Sequence, residues 1–197
     1  MLDVEVIGTP AAAATALEPV RSRLLAELAE PASAAVLAAR LGMARQKVNY
    51  HLRALEAHEL VRVAHTRKWG GLTERLLVAS ASSYVVSPEA LGPAGVDPGQ
   101  TKDRLSASFL IALAARAVRE VGRLLRGAEA AGQKLATLSI DTEIRFRSPG
   151  ERAAFTHELT EAVTSLVRRY HDVAAVEGRQ HRLVVLSYPI LQVEEKP

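Results

Sequence analysis

Apolar residues recur at helical spacing in two short, adjacent segments in the first third of the chain. In the segment 33–42, Leu37 and Leu41 are four residues apart and therefore lie on one face of a predicted helix. Gly42 follows at the position where a helix C-terminus favours a residue that tolerates positive φ. The segment 44–55 repeats the pattern, with apolar residues spaced by four and three: Val48, Leu52 and Leu55. The pattern predicts two helices that each bury one face.

A β-hairpin is predicted directly after the second helix. Residues 60–66 and residues 73–79 are short runs that favour strands, and the stretch 67–71, with two glycines, separates them as a turn. Upstream, residues 18–29 predict a further helix. The order of three helices and a hairpin predicts a winged helix-turn-helix domain over residues 1–87.

The rest of the chain predicts a second domain. Six prolines and glycines fall between residues 87 and 100, a composition typical of a linker, which we place at 88–100. Residues 101–197 predict four elements in turn. A helix over about 102–131 is followed by a strand at 138–147, and a second helix that begins at 148 is followed by a strand at 183–188. The fold class predicted for the whole chain is therefore α+β.

The strand predicted at 138–147 alternates between an apolar and a charged face. Ile140, Ile144 and Phe146 share one face, and four charged residues share the other: Asp141, Glu143, Arg145 and Arg147. Two strands alone do not make a stable sheet. We therefore expect the missing strands to come from the alternating segment 3–7, from a second subunit, or from both, and we expect a homodimer.

Positive charge is concentrated in the predicted helix-turn-helix and hairpin. Residues 40–75 hold eight Lys and Arg against three acids, a net charge of +5, whereas the whole chain carries only +3. A basic excess of this kind suits contact with the phosphates of double-stranded DNA.

The exposed face of the second helix has the side chains that read bases. Guanidinium and amide groups pair with guanine and adenine edges in the major groove. We predict base contacts from four residues: Arg45, Gln46, Asn49 and Tyr50. We predict phosphate or minor-groove contacts from four others: Lys47, Arg53, Arg67 and Lys68.

The chain resembles the ArsR-like winged-helix regulators of bacteria over roughly residues 15–87. The matching blocks are 17–25, 36–42, 48–56 and 60–61, in the family's order. The chain departs from the family at Ala44, where Ser or Thr usually caps the recognition helix, at Glu59, where Gly usually stands, and in having no cysteine. The resemblance implies a DNA-binding homodimer.

Several other function classes find no support in the sequence. There is no nucleophile elbow, phosphate loop or glycine-rich fingerprint, so we expect no enzyme, no catalytic residue and no cofactor. There is no run of 18 apolar residues and no signal peptide, so we expect a cytoplasmic protein without membrane contact.

The second half offers a candidate site for a small molecule. Four aromatic residues there could line a cleft for an organic effector or simply fill the core: Phe109, Phe146, Phe155 and Tyr170. We predict a transcriptional repressor that such an effector releases from DNA. A metal-responsive regulator, using His157 and Glu161 four residues apart on a helix, is one alternative. A winged-helix protein-interaction module is another.

Overall fold

The computed structural model describes residues 2–69, 72–100, 103 and 106–190, with the backbone alone for Trp69 and Leu72. The α-helices are α1 (Pro10–Leu17), α2 (Pro19–Glu27), α3 (Ala34–Leu41), α4 (Arg45–Ala57), α5 (Ala107–Ala130) and α6 (Pro149–Tyr170). The strands are β1 (Leu2–Ile7), β2 (Ala32–Ser33), β3 (Val61–Trp69), β4 (Leu72–Ala79) and β5 (Ala81–Val86). Two 3₁₀ helices, Pro88–Ala94 and Pro98–Gln100, precede α5. The α+β prediction is confirmed.

The chain divides into two compact units, Met1–Leu135 and Ala136–Pro197. In the first unit, β2, β4 and β3 form an antiparallel sheet in that order, and β1 pairs in parallel with β5. Leucines and valines from α2, α3 and α4 make the centre of the core, where five of them have no exposed surface: Leu24, Leu28, Leu37, Val48 and Leu55. Burial of apolar surface on this scale is the main source of stability of the unit.

Local sequence explains the ends of the two helices in the helix-turn-helix. The Ser33 hydroxyl accepts a hydrogen bond from the Val36 amide at 3.4 Å and caps the N-terminus of α3. Gly42 ends α3 with φ of 62°, in the left-handed region that the sequence predicted for it. Ala44 begins α4 without a side-chain cap. The two helices therefore meet in a tight turn whose geometry depends on Gly42.

Glu59, after α4, has φ of 60° and is the non-glycine residue with a positive φ among those that the structure describes. A side chain with a Cβ is strained in this region of backbone space. We expect Glu59→Gly to raise the free energy of unfolding by about 1 kcal/mol, measured by urea denaturation. Glu56→Gly, at a half-buried position of α4, is the control, because glycine within a helix and the loss of the Glu56–Arg75 ion pair should both destabilise the protein. A destabilised Glu59→Gly protein would contradict the strain.

The structure corrects several details of the first half of the chain. The helix predicted at 18–29 is present as α2, which Glu18 caps, but a separate helix that was not predicted there, α1, precedes it and ends at Leu17. The segment 3–7 does not complete a sheet in the second half, because β1 pairs with β5. Arg67 and Lys68 do not lie in the hairpin turn, since β3 continues through them and pairs them with Glu74 and Thr73.

The structure also places the division of the chain differently from the predicted linker. The stretch 88–100 is largely 3₁₀ helix, and Ala90 within it is buried in the core of the first unit. The helix α5 packs on β1, where Gly122 allows the backbone to approach Val6 so closely that an added Cβ would clash at 2.5 Å. The first unit therefore extends through α5 to Leu135, and α5 belongs to it and not to the second unit.

The second unit contains α6 and otherwise no regular secondary structure among its described residues. The strands predicted at 138–147 and 183–188 are absent, since neither segment pairs with another strand among the described residues. Within the described residues, no helix combines the length and the apolar character needed to cross a membrane.

Candidate nucleic-acid interface

The helix α4 separates its apolar and polar residues as the sequence predicted. Val48, Leu52 and Leu55 are buried, together with His51. Six polar side chains are exposed: Arg45, Gln46, Lys47, Asn49, Tyr50 and Arg53. Because a helix advances about 100° per residue, Gln46, Tyr50 and Arg53 lie opposite the buried stripe. This face is open to a partner and bears hydrogen-bond donors.

A groove runs between α4, the start of α3 and strand β4. Arg45, Asn49 and Arg53, spaced by four along α4, line one of its walls. Residues of β4 line the opposite wall: Thr73, Glu74, Arg75 and Leu77. Arg75 forms an ion pair with Glu56 of α4 across the groove. The hairpin and the helix therefore present one continuous polar surface.

The hairpin is a wing of two paired strands, with Arg67 and Lys68 exposed near its end. The Arg67 Nη2 atom donates to the Glu74 Oε2 atom at 3.1 Å. A hydrogen bond from the Ser33 side chain lowers the pKa of Glu74, and the charges of Arg67 and Arg45 lower it further. Glu74 is therefore ionised at neutral pH and offsets part of the charge of Arg67.

Glu18 and His51 hold α4 against the N-terminus of α2. The Glu18 Oε2 atom accepts a hydrogen bond from the Arg21 amide at 2.9 Å and lies 3.6 Å from the His51 Nδ1 atom. Burial raises the pKa of Glu18, but hydrogen bonds from the backbone of Arg21 and Val20, with the charges of His51 and Arg21, outweigh it, so the pKa is lowered. Neither ring nitrogen of His51 has a hydrogen-bond partner, and its Nδ1 atom faces this carboxylate.

Sequence reasoning missed the acidic side chains of this surface. Glu74 and Glu56 pair with Arg67 and Arg75, and only the strand register shows which charges meet. Tyr84 was also overlooked: its hydroxyl donates to the Leu60 carbonyl at 2.8 Å and ties β5 to the start of the wing. Its place in the sequence, within a run of small residues, gave no signal of this role.

The four aromatic residues predicted to bind an effector are divided between the two units. Phe109 belongs to α5 in the first unit, and the other three belong to the second unit. Phe146 contacts Phe155, with ring centroids 5.4 Å apart. Tyr170 lies 15 residues beyond Phe155 on α6, or about 22 Å along a helix. Among the three candidates of the second unit, all of which the structure describes, Phe146 and Phe155 form the one ring contact.

The histidine-carboxylate pair on α6 is exposed. His157 Nε2 lies 3.5 Å from Glu161 Oε1, with more than two thirds of each side chain accessible to solvent. The described residues contain no group of three or more His, Cys, Asp and Glu side chains arranged to hold a metal ion.

Residues 16–64 match a family model described as a helix-turn-helix domain, and this range runs from the end of α1 to β3. A search of curated proteins finds no match for the chain. The match covers both helices of the turn and the exposed face of α4, so the chain contains a helix-turn-helix domain, the type of domain that transcription regulators use to bind DNA.

Proposed function

We propose that the protein is a homodimeric, sequence-specific transcriptional repressor of the ArsR-like type, without enzymatic activity. The observation that carries this proposal is the exposed face of α4, where Arg45, Asn49 and Arg53 line a groove shared with the wing. In a winged helix this face enters the major groove, where guanidinium and amide groups read guanine and adenine. A repressor needs no catalytic group, only an operator that overlaps a promoter.

The proposal is tested by selecting bound sequences from a pool of random DNA duplexes. A homodimer should enrich a palindrome whose half-sites lie about one helical turn apart. The enriched site, placed over a promoter in a reporter strain, should lower expression when the protein is present. Enrichment of no sequence would favour a protein-interaction module, and raised expression would identify an activator.

We further propose that a small organic effector binds the protein and releases it from DNA. The contact between Phe146 and Phe155 supports it, because an aromatic pair can stack on an apolar compound. The reporter strain grown on different organic compounds provides the test. Relief of repression by one compound, reproduced with purified protein and DNA, would identify the effector.

The wing is expected to supply phosphate contacts. Lys68→Ala should weaken binding to the selected site and to random DNA alike, and should lower the slope of log affinity against log salt by about one for each copy of the dimer, or about two in all. Arg67→Ala should change the slope less, because Glu74 already offsets its charge. Lys134→Ala, an exposed lysine far along the chain from the wing, is the control and should leave the slope unchanged. An unaltered slope for Lys68→Ala would remove the wing from the phosphate contacts.

A further inference from the structure

The second unit has too little interior to be stable alone. None of its described residues, 136–190, is buried, and α6 has no buried residue along its 22 positions. Large apolar side chains at 138 and 140 are more than four fifths exposed. Soluble proteins rarely leave so much apolar surface in water without a partner that covers it. We therefore expect a partner to cover the exposed apolar side chains of the second unit.

We propose that the segment 140–148 pairs antiparallel with the same segment of a second copy, about a two-fold axis at Ile144. This inference rests on the proposed homodimer and names the segment through which its two copies bind each other. The segment is exposed, forms no helix or strand in the single chain, and has the period-two alternation of a strand. The Arg147 amide donates to the Glu151 Oε2 atom at 2.6 Å, and the backbone groups of 140–146 are available to an identical strand.

The charges of the segment select this partner and this register. With Ile144 opposite itself, Glu143 faces Arg145 of the second copy, and Asp141 faces Arg147, so both charged pairs occur twice. Moving the axis to residue 143 would place Glu143 opposite itself, and moving it to residue 145 would place Arg145 opposite itself. A parallel pairing in register would align every like charge. Only the axis at Ile144 pairs each acid with a base.

The apolar face agrees with the same register. Directly opposite residues point to the same side of a sheet, so Ile144 would contact its own copy and Thr142 would face Phe146. Phe146 already packs on Phe155 of α6. Packing against a helix is what makes a two-stranded ribbon stable, and α6 of each copy supplies it. Pro149, which begins α6, ends the strand.

Charge reversal tests the pairing. Glu143→Arg and Arg145→Glu each place two like-charged pairs in the dimer, so each should raise the dissociation constant about 10- to 30-fold in sedimentation equilibrium. The double variant, and an equimolar mixture of the two single variants, restore every opposite-charge pair and should return the constant to its wild-type value. Both positions of change are exposed, and circular dichroism of each variant checks that the fold is kept.

A single introduced thiol tests the position of the axis. The chain has no cysteine, so Ile144→Cys would provide the one thiol in each copy. Opposite residues in an antiparallel pair have Cα atoms roughly 4.5–5.5 Å apart, within the range of a disulfide, and oxidation should give a covalent dimer. Thr142→Cys is the matched control, because its two copies would lie about 14 Å apart and should not cross-link.

Three results would overturn the inference: a wild-type chain that is monomeric at every concentration, single variants that dimerise as the wild type does, or equal cross-linking at 142 and 144. Equal cross-linking at 142 and 144 would also result if the segment 183–188, and not a second copy of the same segment, were the partner of 138–147. All these measurements are made without DNA. They can therefore reject the strand pairing without rejecting the DNA binding proposed above. Normal association with no DNA binding would reject the proposed regulator and leave the strand pairing intact.

Discussion

Arg45→Ala and Asn49→Ala are each expected to weaken binding to the selected operator by about 1–3 kcal/mol, or roughly 5- to 150-fold. Both side chains line the groove between α4 and β4, where each can make two hydrogen bonds to one base. Each variant should therefore also relax the sequence preference at one position in each half-site. Binding curves on the operator and on its single-base variants measure both effects.

A control variant and binding to random DNA distinguish the loss of base contacts from a general loss of affinity. Gln133→Ala removes an exposed amide outside the interface and should bind as the wild type does. Binding to random DNA should change little in Asn49→Ala, because a neutral amide contributes little to the phosphate term. If both variants keep the wild-type preference at every base, Arg45 and Asn49 do not read sequence, and the outer residues Gln46 and Tyr50 become the candidates.

Leu55→Ala is expected to lower the free energy of unfolding of the first unit by about 2–5 kcal/mol. Leu55 lies on α4 with no exposed surface and packs with Leu24, Leu28 and Val61 in the same core. Its truncation leaves a cavity beneath the helix that carries the polar face. A loss of this size is a large part of the 5–15 kcal/mol that stabilises a typical domain, so weaker DNA binding should follow.

Urea denaturation followed by the fluorescence of the single tryptophan, in the wing, measures this change. Leu17→Ala is the matched control, because Leu17 is 67% exposed and its truncation leaves no cavity. We expect that variant to stay within about 0.5 kcal/mol of the wild type. Equal losses in the two variants would show that α4 does not rest on a packed core at Leu55.

The helix-turn-helix could be predicted because its signals are local. The spacing of Val48, Leu52 and Leu55 determines which face of α4 is buried, and Gly42 has the positive φ that ends α3. The strand-favouring runs 60–66 and 73–79, on either side of the predicted turn 67–71, predicted the two strands of the wing. Each of these features depends on residues within one or two turns of chain, where periodicity and φ preferences act directly.

Features that depend on distant contacts could not be predicted in the same way. The 88–100 stretch has the composition of a linker, yet Ala90 is buried and α5 packs on β1 beyond it. Glycine and proline indicate where the backbone can bend. They do not indicate whether the helix that follows packs on the same core. The ion pairs of the wing likewise depend on a strand register that no local signal specifies.

The sequence by itself determined the two helices, the exposed polar face of α4 and the concentration of positive charge around it, because helical periodicity and side-chain charge are properties of short segments. Only the tertiary structure decided that β1 pairs with β5, that α5 completes the first unit, and that Arg45, Asn49 and Arg53 share a groove with β4. These arrangements join residues far apart in the chain, and burial and backbone pairing between those residues select them. The alternation at 138–147 separates the two cases: a period of two predicts a strand there, but a strand also needs backbone pairing with another segment, and the described chain shows none for it.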